Sequence, residues 1–400
     1  MLHLFSAVIV CGFVGAILLA VRMIAILLEQ STISSTAPET FSLKNQGLAF
    51  QRAAARAPDV LPLYGSSELE VPRVPERAGK FFRSAPTGFQ VSPVGKAGTD
   101  SMTMLQNIGA VGSDLHGKKL AISLSPPWFL AREMNPRWYE GNFSLVAASK
   151  LVFGNALDFG LKREIAARML HFPRTLAKSP LLEFALRLLA SGRPLDRIVF
   201  YILWPLGEIQ NATMDFQDHF AALNYILHEA KPAPARHPKM LDWPEIVAEA
   251  GEQGPESTNE DNMEKVPGLD KHMAAGSRDK WFCEHVNEAR EWQDLELLLR
   301  TLAKIHARPL LLSMPLDGHY FEETGVSRAA REAYYKKLRA FAQQYNVALV
   351  EFEEHEDDPT FLAHGVPQAE PVQGLHLAAK GWMFYNRVLD DFFHGRSLTN

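Results

Sequence analysis

A short turn, Gly65-Ser66-Ser67-Glu68-Leu69, and a histidine more than three hundred positions downstream, His376, are the residues whose types suit chemistry. A serine hydroxyl is a weak nucleophile until a base takes its proton, and imidazole is the side chain whose proton equilibrium lies nearest neutrality. The turn follows an apolar run, Val60–Tyr64, that predicts a strand. A serine there presents its hydroxyl at the carboxyl edge of a sheet, where α/β proteins place their sites. Gly65 permits a tight backbone, and the serine amide can point at a developing oxyanion. His376 precedes a helical pattern whose Leu377, Gly381, Phe384, Tyr385, Val388, Leu389 and Phe392 share one apolar face, which would hold the ring rigidly. Alone, Gly-Ser-Ser is an ordinary turn and a single histidine reads as a surface or capping residue. Together they predict a serine nucleophile with a histidine base.

Those two residues need a scaffold that brings distant segments to one edge. Five apolar runs predict buried strands: Val60–Tyr64, Leu120–Ser125, Ile198–Trp204, Pro309–Ser313 and Val347–Phe352. Their near-continuous hydrophobicity suits a parallel sheet covered on both faces. Helical periodicity marks 161–171, 181–190, 216–229, 292–306 and 327–345. Strands alternating with helices predict a doubly wound α/β layer architecture. Lys231–Gly276 breaks the rhythm with six prolines and little apolar pattern beyond Leu241–Ala248, and reads as a surface insertion.

The N-terminus is different in kind. Leu4–Leu28 is apolar apart from Ser6 and Arg22, and at about 1.5 Å per residue it spans a hydrocarbon core of roughly 30 Å. Met1-Leu2-His3 is not a basic start and the run exceeds a signal-peptide core, so an uncleaved anchor is expected over residues 1–30. Arg22 near its far end can snorkel to the interface. Ser31–Thr40 reads as a short tether to a domain over residues 31–400. Flanking Lys and Arg are too few to set the orientation. A net charge of −5 gives no electrostatic footprint for nucleic acid, and two cysteines, Cys11 and Cys283, exclude a disulfide framework. His355-Glu356-Asp357-Asp358 has metal-ligand types, but consecutive residues point apart and no second histidine follows at helical spacing, so no metal is expected there. Trp128 and Phe129, after two prolines, read either as core aromatics or as the lining of an acyl or acceptor pocket.

The ordered set of motifs resembles one family. It comprises the N-terminal anchor, Leu61–Leu69, Gly98-Thr99-Asp100-Ser101-Met102, Ile122–Phe129, Tyr334-Tyr335-Lys336-Lys337, His355–Phe361 and His376–Trp382. These are similar to the D-alanyl transfer proteins of the DltD family, membrane-anchored relatives of the SGNH serine hydrolases. The resemblance implies an SGNH-hydrolase-like three-layer fold with a parallel sheet and an N-terminal transmembrane helix. It implies Ser67, not Ser66, as nucleophile, His376 as base, and the amides of Ser67 and Gly98 as oxyanion donors, without a cofactor. It further implies a catalytic domain on the extracytoplasmic side that moves D-alanine onto an anionic envelope polymer such as teichoic acid. The implied partners are the bilayer, a DltB-like membrane-bound O-acyltransferase and a D-alanyl carrier protein. One departure stands out: where the family pattern has an aspartate three residues before the histidine, this chain has Gln373. Glu370 or Asp358 then supplies the acid, or the site works as a Ser-His dyad, or activity is impaired. The last case keeps open a catalytically weak, membrane-tethered binding or assembly factor.

Overall fold

The computed structural model describes residues 2–71, 73–234, 236–252, 271–363 and 373–398. Five parallel strands, β1 (Val60–Tyr64), β2 (Gln90–Val94), β3 (Lys119–Leu124), β4 (Arg308–Ser313) and β5 (Ala348–Glu351), form one sheet in the order β2-β1-β3-β4-β5. Side chains alternate across it as the pleat requires. Leu120, Ile122, Leu124 and Leu311 join a core with the helices Ser101–Val111, Leu145–Phe153, Glu291–Lys304 and Arg328–Gln344. Leu61, Leu63, Ala121, Leu310, Leu312 and Val350 join a second core on the other face, under the helix Ala379–His394. Helix, sheet and helix make three layers.

Strand order decides where a site can open. The chain leaves β1 for one neighbour, β2, then crosses back to β3 on the other side and continues outward to β4 and β5. Connections from β1 and β3 therefore run opposite ways, and in open α/β sheets such a switch point is where sites form, outside the carboxyl ends of the strands. The turn carrying Ser67 leaves the end of β1 at that point.

Four of the five expected strands are present; Ile198–Trp204 is not one of them. It lies inside a 35-residue helix, Pro194–His228, that contains Pro205. A seven-residue apolar run satisfies either geometry, and here the residues buried and exposed follow helical spacing. The strand that took its place, β2, is buried on both faces yet carries Gln90, Ser92 and Pro93. It pairs only with β1, so it is an edge strand, where a proline without an N–H is tolerated.

The first six residues of the expected tether, Ser31–Thr36, are helical as well. Helix α1 runs unbroken from Leu2 to Thr36, and Ile33 and Ala37 pack with Ala53, Ala54, Ala57 and Val60. Arg22 does not snorkel freely but pairs with Asp215 at 2.8 Å, and buried Glu29 meets His219 at 2.7 Å. The described part of the 231–276 insertion is more than a surface excursion. Its helix Trp243–Glu252 covers the second core, and the Trp243 indole donates to Asp390 at 3.1 Å. Residues 253–270 of that insertion lie outside the described residues.

Candidate active site

At the end of β1 the backbone turns sharply. The Gly65 N–H donates to the Val94 carbonyl at 3.1 Å. Gly95, at φ +141, comes so near that a Cβ there would lie 1.9 Å from the Gly65 oxygen. The Ser66 N–H donates to the wholly buried Glu68 carboxylate at 2.8 Å. Burial pushes the Glu68 carboxyl up, opposed by the hydrogen bond from the Ser66 amide. Ser67 opens the 3-10 turn Ser67–Leu69, so its own N–H is not consumed within the turn. Ser66 is buried while Ser67 is partly exposed.

His376 begins β7 (His376–Leu377), which pairs antiparallel with β6 (Leu362–Ala363) in a two-stranded ribbon. The Ala378 N–H donates to the Phe361 carbonyl at 3.0 Å, and the helix Ala379–His394 then descends into the second core. The ring reaches the turn: His376 Nε2 lies 2.9 Å from Ser67 Oγ, across 309 positions of sequence. Burial pulls the imidazole down from its ordinary 6.5 to about 4. At neutral pH it is uncharged, and its Nε2 can accept a proton.

Among the described residues no carboxylate lies within hydrogen-bonding distance of this ring. Asp358, one of the two expected acids, is engaged elsewhere. It accepts from Lys380 at 2.6 Å and from the Thr360 N–H and hydroxyl, which hold it at about 2. The other, Glu370, lies outside the described residues. Gln373 is described and buried. The sequence did not suggest Asp317, which follows β4. Its Oδ1 accepts from the Tyr320 N–H at 3.1 Å and its Oδ2 from the Gly374 N–H at 2.7 Å. It thereby ties the segment two residues ahead of His376 to the end of the sheet, across 57 positions. The only local signal is an Asp heading a short helix, which by itself announces a cap.

The second expected oxyanion donor, Gly98, sits at φ +81 in the turn after β2, and a Cβ there would lie 2.3 Å from the Trp138 ring. That turn leans on the first, with the Ala97 N–H donating to Glu70 at 3.4 Å. Among the described residues neither the Ser67 nor the Gly98 N–H has a hydrogen-bond acceptor. Trp128 and Phe129 part company. Phe129 is core, with its ring 4.4 Å from Trp292, whereas Trp128 is half-buried and 6.3 Å from Trp138. Of the four residues 355–358, His355 and Asp358 come together, with the His355 Nδ1 3.6 Å from a carboxylate oxygen, while the other two turn to separate partners. His355 stacks on Phe361, Glu356 binds Arg331 and Tyr335, Asp357 faces Arg328, and Asp358 holds Lys380. An uncharged imidazole against a serine hydroxyl, with that serine's own N–H free, can activate the hydroxyl toward an acyl carbonyl.

Comparison with known proteins finds the same family. The family described as "DltD protein" matches residues 37–394. The chain is 24% identical to Protein DltD of Bacillus subtilis (strain 168) over 404 residues, covering 97% of this chain and 96% of that protein. It is 23% identical to Protein DltD of Staphylococcus aureus (strain NCTC 8325 / PS 47), covering 96% and 93%. The Lacticaseibacillus rhamnosus Protein DltD is also 23% identical, covering 94% and 90%.

Proposed function

This chain belongs to the DltD family, and from that premise we propose that it is a membrane-anchored serine acyltransferase or esterase acting at the cell envelope. The observation that carries the reading is the 2.9 Å contact between Ser67 Oγ and His376 Nε2 at the carboxyl edge of the sheet. Ser67 Oγ attacks the acyl carbonyl while His376 Nε2 takes its proton. The tetrahedral oxyanion is held by the N–H groups of Ser67 and Gly98. Collapse returns the proton from His376 to the leaving group and leaves an ester on Ser67. An acceptor hydroxyl, or water, repeats the sequence in reverse and frees the serine.

The family name and the surface setting support D-alanine as the acyl group and an anionic envelope polymer such as teichoic acid as acceptor. Each ester adds an ammonium that offsets a phosphate charge. Helix α1, of which Gly12–Thr36 is long and apolar enough to cross a bilayer, is the anchor, with the body on the extracytoplasmic side. A DltB-like O-acyltransferase delivers the acyl group, and a D-alanyl carrier protein supplies it.

A second reading has its own observation: the absence of a carboxylate against His376 among the described residues. On that reading the chain is a binding or assembly factor for the acylation machinery. The full chain in detergent, given a small ester, separates the two. Turnover lost in Ser67→Ala and in His376→Ala, with labelling of Ser67 by an activated phosphonate, supports the enzyme. Equal rates for wild type and Ser67→Ala, with envelope acylation intact in cells carrying Ser67→Ala, refute it.

A further inference from the structure

The helix Pro194–His228 carries a face that nothing among the described residues covers. Inward, Phe200 is buried, Leu203 and Trp204 are half-buried against the main core, and Gly207 lies against the Phe153 ring. Outward, Leu195, Ile198, Tyr201, Ile202, Leu206 and Ile209 recur at helical spacing, with exposures of 74% at Leu195, 70% at Ile202 and 63% at Ile209. The stripe is about 21 Å long at 1.5 Å per residue. Water-soluble surfaces rarely expose so continuous an apolar patch; it marks a membrane or a partner.

Two contacts with α1 point to the membrane. Arg22 pairs with Asp215 and Glu29 with His219, so residue numbers rise together on both helices through the crossing. The N-terminal half of each helix therefore leaves the crossing toward the same side. On α1 that half is the exposed apolar span, in which Phe13 and Leu19 are 68% and 65% exposed. On the other helix it is the stripe. Arginines flank the stripe's start: Arg193 is exposed, and the Arg197 guanidinium lies 4.7 Å over Phe159 and 5.8 Å from Tyr201. An apolar face edged by arginine is the pattern of a helix lying at the headgroup boundary.

We propose that this face rests in the headgroup and acyl boundary of the bilayer that α1 enters, so that the body is held by two elements. The proposal depends on the anchor reading of α1, and the test separates the two. The full chain, with Cys11→Ser and Cys283→Ser, is placed in vesicles of phosphatidylcholine and phosphatidylglycerol. Single nitroxide labels are attached at Ile202→Cys, Leu206→Cys, Val10→Cys and Gln343→Cys in separate samples. Collision with dissolved oxygen and with a water-soluble nickel chelate is then compared by electron paramagnetic resonance. The expected result is oxygen preference at 202 and 206 several-fold above that at 343 and of the same sense as at 10. Water-like labels at 202 and 206 with a lipid-like label at 10 overturn the proposal and leave the anchor standing. Water-like behaviour at 10 as well removes the anchor and the proposal with it. Spin–spin broadening at 202 that grows with the protein-to-lipid ratio assigns the face to a second copy and also overturns the proposal.

Discussion

If Ser67 and His376 act as proposed, the position of the acid limb in the pH profile is the sharpest consequence of that mechanism. His376 is buried, and desolvation alone carries its proton equilibrium from the usual 6.5 down to about 4. That displacement corresponds to about 3 kcal/mol against imidazolium, at about 1.4 kcal/mol for each tenfold change. A base must be unprotonated to act, so kcat/KM for a small ester should hold as pH falls through 6.5 and drop only near 4. The difference is large at pH 5. With a base titrating near 4, about nine-tenths of the pH 7 rate remains; with one titrating at 6.5, only about one twenty-fifth remains. The same displacement has a cost in stability, whose sign follows from linkage. The folded value lies below the unfolded one, so the folded state gives up the proton. This contribution is then full above 6.5 and lost as pH falls from 6.5 toward 4. Enzyme held at pH 5 and returned to pH 7 must regain its full rate, which separates titration of the base from unfolding. An acid limb at 6.5 or higher in reversibly active enzyme would refute the reasoning, because it requires a negative charge facing the imidazole.

Other perturbations test the support around the pair. Asp317→Ala leaves the Tyr320 and Gly374 N–H groups without their acceptor, at a cost on the order of 2 kcal/mol in stability. Because Asp317 acts through the position of His376, kcat should fall with KM little changed and the acid limb unmoved; an acid limb that shifts in Asp317→Ala would make Asp317 an electrostatic partner instead. Behind the Gly98 turn, Asp100, Glu291 and Asp294 are buried together, and burial with the charges of Asp100 and Asp294 pushes Glu291 well up. Its folded value exceeds its unfolded one, so wild type loses stability as pH rises through the folded value. Glu291→Gln can still accept from the Ser101 N–H, as Glu291 Oε1 does at 2.9 Å. Its urea midpoint relative to wild type should therefore rise from pH 5 to pH 9; a constant difference would refute the shared-charge account.

Local pattern was enough for much of this molecule. The apolar runs at Val60–Tyr64, Leu120–Ser125, Pro309–Ser313 and Val347–Phe352 are strands because a two-sided sheet demands residues apolar on both faces. A long apolar N-terminal helix was legible from length and composition, and the Gly65-Ser66-Ser67 turn from its place after a strand. The same reasoning failed where a local pattern fits two geometries. Ile198–Trp204 is apolar enough for a strand but belongs to a helix whose outer side is left open. Gln90–Val94 looks too polar for a strand until an edge position and a neighbouring turn account for its proline and serine.

What this sequence determined by itself is therefore the inventory: which segments must be buried, which turn is tight, and which side chains have the chemistry. Tertiary structure decided the rest. The strand order put the end of β1 at the point where the connections diverge, and the ribbon of β6 and β7 carried His376 to within 2.9 Å of Ser67. Burial set the imidazole near 4, Lys380 and Thr360 claimed Asp358, and Asp317 came to hold the loop before the histidine. The physical reason is range. Propensity, turn chemistry and hydrophobic period act over a few residues, whereas proton affinity and hydrogen-bond partnership depend on whatever the fold packs nearby, at any distance along the chain.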